Sequence, residues 1–510
     1  MKKVFEIEII NTGLSMKLDK KLITLLLTLL IVAIAVLTIY AGKPSEYINR
    51  LFQIVSSNMG WLYQWFVLLC FSFCLWLCFG PYANVRLGKG VEYSNMSWFT
   101  MMFCTGIGSS VMYWGAIEWV YHYNSPPFAI EPKSDEALSW ATAYGMLHWG
   151  ITGWSVYALA AVSFSVLFWR EKIVDANFAT ACTAGLSTFN KKLLSLPLRF
   201  IFVLGLFGAV VTSIGVGIPM LSYMATHIFA LDPETNVELA IVFVWCVIIS
   251  ISAFTGINKG IKIMSNVNLV LAVVMLFFVV FAGPTQFIFT YFTDSFAILL
   301  NNFIKMSLWN DAVEGGIFPK EWTNFYWAWF IAYAPFIGFF VAKISRGRTI
   351  REVVIGLSVG GAVGSWIFYA VFGGSGVYYQ IAGLLDMGSI VAESGGPSGI
   401  LQLLLIMPLG KLVLWVFFIL AFIFMSTTVD SAAYVLADAS VLGPLNEKLL
   451  SVKLTRVVWV FLICGASYGL LVVGGLKAVQ SFTLLVSLPQ LLALALMLYS
   501  LYFLLNKPIP

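Results

Sequence analysis

Long apolar runs separated by short polar connections recur from one end of the chain to the other. Runs of the length that crosses a bilayer as a helix fall at Leu22–Tyr40, Trp61–Phe79, Trp98–Tyr121, Leu138–Phe168, Leu198–Tyr223 and Val237–Phe254. Others fall at Asn266–Ala282, Trp322–Ala342, Val353–Gly374, Leu412–Ala437, Leu454–Gly474 and Gln480–Leu505, so the pattern predicts twelve spans. Between spans 7 and 8, the segment 286–320 places Phe287, Phe289, Phe292, Phe296, Leu299, Leu300, Phe303 and Ile304 among polar residues. That reads as an amphipathic helix lying along the outer surface of the bilayer.

Composition agrees with an all-α polytopic membrane protein: of 510 residues 60% are hydrophobic and only 10% charged, with mean hydropathy +0.91. With both termini cytoplasmic, only Lys43, Arg50, Lys133, Lys305, Lys320, Lys411 and Lys477 of the 29 Lys and Arg fall outside. The inner loops hold the rest, including Lys20, Lys21, Arg170, Lys191, Lys192, Arg346, Arg348 and Arg351. This positive-inside bias predicts an even number of spans in a cell (inner) membrane. The net charge of +5 therefore reflects topology and not nucleic-acid binding. The start of the chain reads as a retained helix, since no small-residue cleavage site follows its first apolar run. No loop or tail is long enough for a further soluble domain.

Two spans contain helix breakers. Span 3 carries Gly106, Ile107, Gly108, Ser109 and Ser110, and each Gly costs a helix about 1 kcal/mol relative to Ala. Span 8 carries Pro335. The two spans are five apart and cross in opposite directions, which predicts a five-plus-five inverted repeat of the secondary-transporter kind. Residues 1–97 then hold two peripheral spans, 98–285 the first repeat, 286–320 the outer helix, and 321–510 the second repeat with a short tail. Close helix packing on glycine is the alternative reading.

Span 8 begins Trp322-Thr-Asn-Phe-Tyr-Trp-Ala-Trp-Phe-Ile-Ala-Tyr333. At helical spacing, Trp322, Tyr326, Trp329, Tyr333, Phe336 and Phe340 share a face; Trp327 and Phe330 flank it. Span 4 places Trp149, Trp154 and Tyr157 near a Gly-loosened stretch at Gly150 and Gly153. Ring faces attract a cation that has no hydrogen-bond donors, such as a quaternary ammonium. Helix packing or an interfacial aromatic belt is the competing explanation.

Charge within the spans is scarce. Glu118 in span 3 and Asp430 in span 10 are functional candidates or buried ion-pair partners. Thr427, Thr428, Thr212 and Ser213 offer hydroxyl oxygens suited to Na⁺, the alternative being bonds to their own helix carbonyls. Lys262, at the inner start of span 7, is either a positive-inside anchor or a fixed cation replacing a mobile one. The seven cysteines lie in or beside apolar helices without metal-ligand spacing, as small buried hydrophobes do. His122, His148 and His227 show no metal spacing, and no nucleotide loop or nucleophile elbow is present. Neither an ATP-driven pump nor a hydrolase is expected, and no cofactor beyond a coupling ion.

Phe325-Tyr-Trp-Ala-Trp329 followed by Ala342-Lys-Ile-Ser-Arg-Gly-Arg-Thr-Ile-Arg-Glu352 resembles the signature of the betaine/choline/carnitine transporter family. Leu147-His-Trp149, Phe79-Gly-Pro-Tyr82 and Gly474-Gly-Leu-Lys477 resemble it too, so the likeness runs from span 2 to span 12. It implies twelve helices around a five-plus-five inverted core of the LeuT-like kind, a homotrimer, and transport of quaternary-ammonium zwitterions. Ser125-Pro-Pro-Phe-Ala-Ile-Glu-Pro132 and Trp114-Gly-Ala-Ile-Glu118 are most similar to the carnitine/γ-butyrobetaine exchangers. Their central box maps onto Tyr121, Trp149, Trp329 and Tyr333. Two positions depart from family patterns. Phe330 stands where sodium-coupled betaine carriers keep a second Trp, and Lys262 aligns where the exchangers keep an Arg that fills a sodium site. Phe336 joins the coupling-ion candidates.

The residues thus predict a secondary transporter of carnitine, γ-butyrobetaine or betaine, with a sodium-coupled betaine or choline symporter as the alternative. A membrane-embedded enzyme acting on choline-like compounds would need a metal cluster or a nucleophile–base spacing that is missing. A channel or osmosensory receptor would be expected to carry a long charged terminal domain.

Overall fold

The computed structural model describes residues 17–26, 28, 44–106, 109–173, 177–232, 235–255, 258–442 and 450–507. Most of the expected first span lies outside them. The chain is built from helices because its apolar runs sit where backbone groups must be satisfied within the segment. The one strand ladder among the described residues is antiparallel and two residues long, β1 (Lys17–Leu18) on β2 (Val441–Leu442).

The first half contains α1 (Pro44–Phe79), α2 (Asn95–Gly106), α3 (Ser109–Asn124), α4 (Asp135–His148) and α5 (Ile151–Ser165). It continues with α6 (Phe178–Thr183), α7 (Thr188–Ile228), α8 (Val237–Thr255) and α9 (Asn258–Ala282). After α10 (Thr285–Leu308) come α11 (Asn324–Ile344), α12 (Ile350–Phe368), α13 (Gly374–Ile381), α14 (Met387–Ile406), α15 (Gly410–Ala439) and α16 (Leu450–Leu505). π-helical turns at Val166–Arg170, Pro319–Thr323 and Tyr369–Gly373 follow α5, precede α11 and join α12 to α13.

Among the described residues ten helices are long and apolar enough to cross a membrane, and their division differs from the sequence pattern in several places. The expected third span is covered by α2 and α3, and the break expected between Gly106 and Ser109 falls on Ile107 and Gly108, which lie outside the described residues. The expected fourth span breaks between Trp149 and Gly150, where Trp149 caps α4 and an extended Gly150 (ψ −173°) starts α5. Spans 11 and 12 run together in α16, interrupted at Gly474 and Gly475, where Gly475 has φ +60°. Pro335 does not interrupt α11, which continues through it; the irregular backbone of span 8 is the π turn at its start.

Two helices change the count from the other direction. α10 is a single helix long and apolar enough to cross, and it buries Ile288, Tyr291, Ser295 and Leu299 while Phe289, Leu300 and Ile304 stay exposed. α14 has no counterpart in the expected spans. It kinks at Gly395 (φ +80°, ψ 169°), and Glu393, Gly395, Gly396 and Pro397 dilute its hydropathy.

The core is formed where α11 packs on α5, α7 and α16, and where α5 packs on α12. The signature Ala342–Glu352 works as a clamp at one end of the bundle. Its chain pairs with the segment after α1 through Leu87 N–Arg348 O (2.8 Å) and Ile350 N–Val85 O (3.1 Å). Arg348 reaches Asn95 Oδ1 at 2.5 Å and Tyr93 O at 2.7 Å. A capping box joins Thr349 to Glu352 and starts α12, satisfying donors that a helix N-terminus leaves free.

Candidate functional site

The aromatic stripe is continuous. Ring centroids step from Trp322 to Tyr326 (6.5 Å), Trp329 (6.3 Å), Tyr333 (6.5 Å) and Phe336 (6.4 Å). Helical spacing alone accounts for this, since residues three and four apart share a face. Phe340, at the far end, is exposed.

The break at Gly150 turns Trp149 onto the stripe. Its ring meets Trp329 edge to face at 6.0 Å and 80°, Tyr326 at 5.9 Å and Phe330 at 5.7 Å. Edge-to-face contacts suit the quadrupoles of paired rings. Trp154 and Tyr157 form a second group with Phe330, Tyr157 lying 4.9 Å and Trp154 6.2 Å from it. Phe330 therefore joins the two groups. Gly153 permits this, because a Cβ there would lie 3.0 Å from the Phe330 ring. Trp149 and Tyr157 lie on opposite sides of the helix break, yet both pack on Phe330.

Two named residues sit apart from the Trp149–Trp329–Tyr333 contact. Tyr121 is linked through Trp322 (5.4 Å) and Trp114 (6.3 Å), with its hydroxyl 3.3 Å from that of Tyr113. Trp327 turns off the stripe, edge-on to His148 at 5.9 Å. Above Tyr113 and Tyr121 runs the kink of α14, where a Cβ at Gly396 would lie 2.5 Å from both hydroxyl oxygens. Only a glycine allows so close an approach.

Polar anchors hold the stripe in register. Trp329 Nε1 donates to Ala209 O at 3.1 Å, and the Tyr333 hydroxyl is 2.8 Å from Ser213 Oγ. Ser213, expected as a coupling-ion candidate, is thus a partner of the stripe. Its neighbour Thr212 bonds to Gly208 O (2.9 Å) and to Thr483. Thr427 and Thr428 both donate to Phe424 O at 2.9 Å, the self-bonding alternative named above. Lys262 lies on α9, its side chain outside the described residues. Ser110 is buried; the side chain of Ser109 lies outside the described residues. Asp430 is paired with Arg456 at 3.1 Å, both buried.

Glu118 is fully buried at the back of the stripe. Its Oε2 accepts from Tyr326 (2.5 Å) and Tyr369, and its Oε1 faces His148 Nδ1 (3.1 Å) and His122 Nε2 (3.5 Å). His148 Nε2 meets Thr323 Oγ1 at 3.2 Å, and its ring stacks on Tyr326 at 4.6 Å. One donor atom each from Glu118, His122 and His148 lies within 4.8 Å of the others, a proximity that follows from this hydrogen-bonded arrangement. Sequence reasoning missed Tyr369, His148, Thr323 and His122 as members of this network; the first three lie far from Glu118 in sequence, whereas His122 follows it at i+4 on α3, a helical spacing that could have shown the pair. Tyr326 was visible on the stripe, but its hydroxyl contact was not.

The matching family model is that of the BCCT, betaine/carnitine/choline family transporters, over residues 22–508. The chain belongs to this family. It is also 31% identical to a protein of Acinetobacter baumannii described as a carnitine transporter, over 85% of this chain and 79% of that protein. A BCCT transporter is a multi-pass membrane protein and not an enzyme. The aromatic cluster and the Glu118 network are then interior features of a transport protein, built where α3, α5 and α11 meet.

Proposed function

We propose that this chain is a secondary active transporter of quaternary-ammonium zwitterions such as carnitine, γ-butyrobetaine or glycine betaine. The observation that carries the reading is the meeting of Trp149, Trp329 and Tyr333 beside the break between α4 and α5. A trimethylammonium group has no donors to lose and gains from ring faces about 2 kcal/mol when desolvated. Tyr121, two rings removed through Trp322 and Tyr326, would close on the substrate when α3 and the α14 kink move. The relative's description as a carnitine transporter points to the same substrate class.

Alternating access by rocking two five-helix repeats, spans 3–7 and 8–12, fits the irregular backbone at the α4–α5 break and at the π turn that starts α11. Residues 1–97 would be peripheral and 286–320 an outer helix. The bonds at each end support twelve crossings with both termini cytoplasmic. Arg199 pairs with Asp19 at 2.6 Å, Arg170 donates to Leu504 O at 3.1 Å, and Lys477 meets Glu321 at 3.0 Å. Each bond joins segments assigned to one side by loop charge. A homotrimer in the cell inner membrane follows from family resemblance.

Uptake of radiolabelled carnitine and betaine into proteoliposomes tests the reading, with and without Na⁺ or internal substrate. Exchange driven by internal substrate supports antiport; a strict Na⁺ requirement supports the alternative, a sodium-coupled symporter of betaine or choline. Uptake of neither compound under any condition rejects both.

A further inference from the structure

Glu118 has no lysine or arginine partner among the described residues; its ionic neighbours are His122 and His148. A bare carboxylate buried to that degree inside a membrane protein is costly. His122 Nδ1 lies 2.8 Å from the carbonyl of Ala141. A carbonyl only accepts, so Nδ1 carries hydrogen. In a neutral imidazole Nε2 would then present its lone pair to Glu118 Oε1, 3.5 Å away, and Nε2 has no other hydrogen-bond partner. Two acceptors would face each other in a dry interior.

His148 does not resolve the conflict. With Nε2 accepting from the Thr323 hydroxyl and Nδ1–H donating to Glu118 Oε1, it is neutral and fully used. Tyr326 and Tyr369 donate to the other carboxylate oxygen. The ionisable groups facing Glu118 and His122 are therefore His148 and Tyr144 from α4, Tyr326 from α11 and Tyr369 from the π turn after α12. The remaining neighbours of His122 are the rings of Phe318 and Trp322.

We infer that Glu118 and His122 together form a proton-binding site, with one proton held on the line between Glu118 Oε1 and His122 Nε2. Written either as a neutral acid donating to imidazole or as an imidazolium donating to a carboxylate, the pair carries no net charge. Tyr326 connects this proton to the stripe, since it donates to Glu118 while its ring lies 5.9 Å from Trp149 and 6.3 Å from Trp329. Loss of the proton to water leaves a bare carboxylate and loosens the packing of these rings. The site stands on geometry alone; its consequence for substrate binding rests on the function proposed above.

Glu118→Gln is the decisive variant, because its amide can donate permanently to His122 Nε2 while its carbonyl still accepts from both tyrosines; His148 then takes the other neutral tautomer, with Nδ1 accepting from the amide and Nε2–H donating to Thr323 Oγ1. In lipid nanodiscs, carnitine affinity of the unaltered protein should fall at least tenfold between pH 6 and pH 9, and that of E118Q should change less than twofold. A flat profile in the unaltered protein, or an unchanged fall in E118Q, overturns the proposal. Infrared pH-difference spectra provide a readout without substrate. A protonated-carboxyl or imidazolium band should be present in the unaltered protein and absent from E118Q; its absence from both also overturns the proposal. If carnitine fails to bind yet the band is found, the substrate assignment fails and the proton site stands. A stoichiometric, chelator-removable metal in the purified protein, lost in E118Q, would replace the proton and overturn the inference.

Discussion

Trp149 and Trp329 meet edge to face with ring centroids 6.0 Å apart, one at the break between α4 and α5 and the other in mid-α11. The contact joins the two proposed repeats through π surface. Trp329 is fixed independently by its bond to Ala209 O, so its ring is held in place before any ligand arrives.

Replacing Trp329 with Ala should weaken carnitine binding by about 1–2 kcal/mol, and Trp329→Phe should lose less, because a smaller ring still offers a π face. Binding of labelled carnitine to the purified protein measures both. Wild-type affinity in a folded Trp329→Ala protein would mean that the stripe serves packing alone.

The stripe was legible because i, i+3 and i+4 spacing survives in any continuous helix, and α11 continues through Pro335. What was not legible depends on contacts distant in sequence. The break at Gly150 separates Trp149 from Tyr157, whereas the apolar run 138–168 reads as one continuous helix. Trp327 lies in the densest aromatic run yet faces His148, since adjacent residues on a helix point about 100° apart. Helix α14 escaped notice because its glycines and Pro397 lower its hydropathy while its kink lies over Tyr113 and Tyr121. Apart from His122 at i+4, the partners of Glu118 come from three other parts of the chain, and no spacing announces those.

Gly145→Ala tests how tightly Tyr369 is held. A Cβ at position 145 would lie 2.3 Å from the Tyr369 ring, and a rigid ring cannot yield as a flexible chain end would. The substitution should lower stability by about 1–3 kcal/mol, the usual cost of overpacking, and move the Tyr369 hydroxyl off Glu118. Thermal unfolding in detergent reads the loss. An unchanged midpoint would show that the Tyr369 contact with α4 is looser than the structure places it.

If Lys262 takes the place of a coupling ion, exchange should proceed without a Na⁺ gradient and be driven by internal substrate. Lys262→Gln should then make uptake depend on Na⁺. Thr427 and Thr428 are the nearest candidates in kind, and both would first have to release Phe424 O. Proteoliposome uptake with Na⁺ replaced by choline-free K⁺ buffer decides it. A strict Na⁺ requirement in the unaltered protein would remove Lys262 from this role and favour symport.

The last prediction concerns substrate charge. Glu118 is the acid closest in sequence to Tyr121, and an acid open to the site would favour a net cation by attraction in a low-dielectric interior. Its oxygens are instead committed to Tyr326, Tyr369 and His148, with His122 beside them. Recruiting the carboxylate for choline would break charge-assisted bonds of about 1.5–3 kcal/mol each, more than one ring contact returns. A zwitterion makes no such demand, since its own carboxylate balances its trimethylammonium group. Carnitine, γ-butyrobetaine or betaine should therefore displace labelled substrate better than choline at matched concentration. Choline displacing label tenfold more effectively would place Glu118 in the binding site and reverse the assignment.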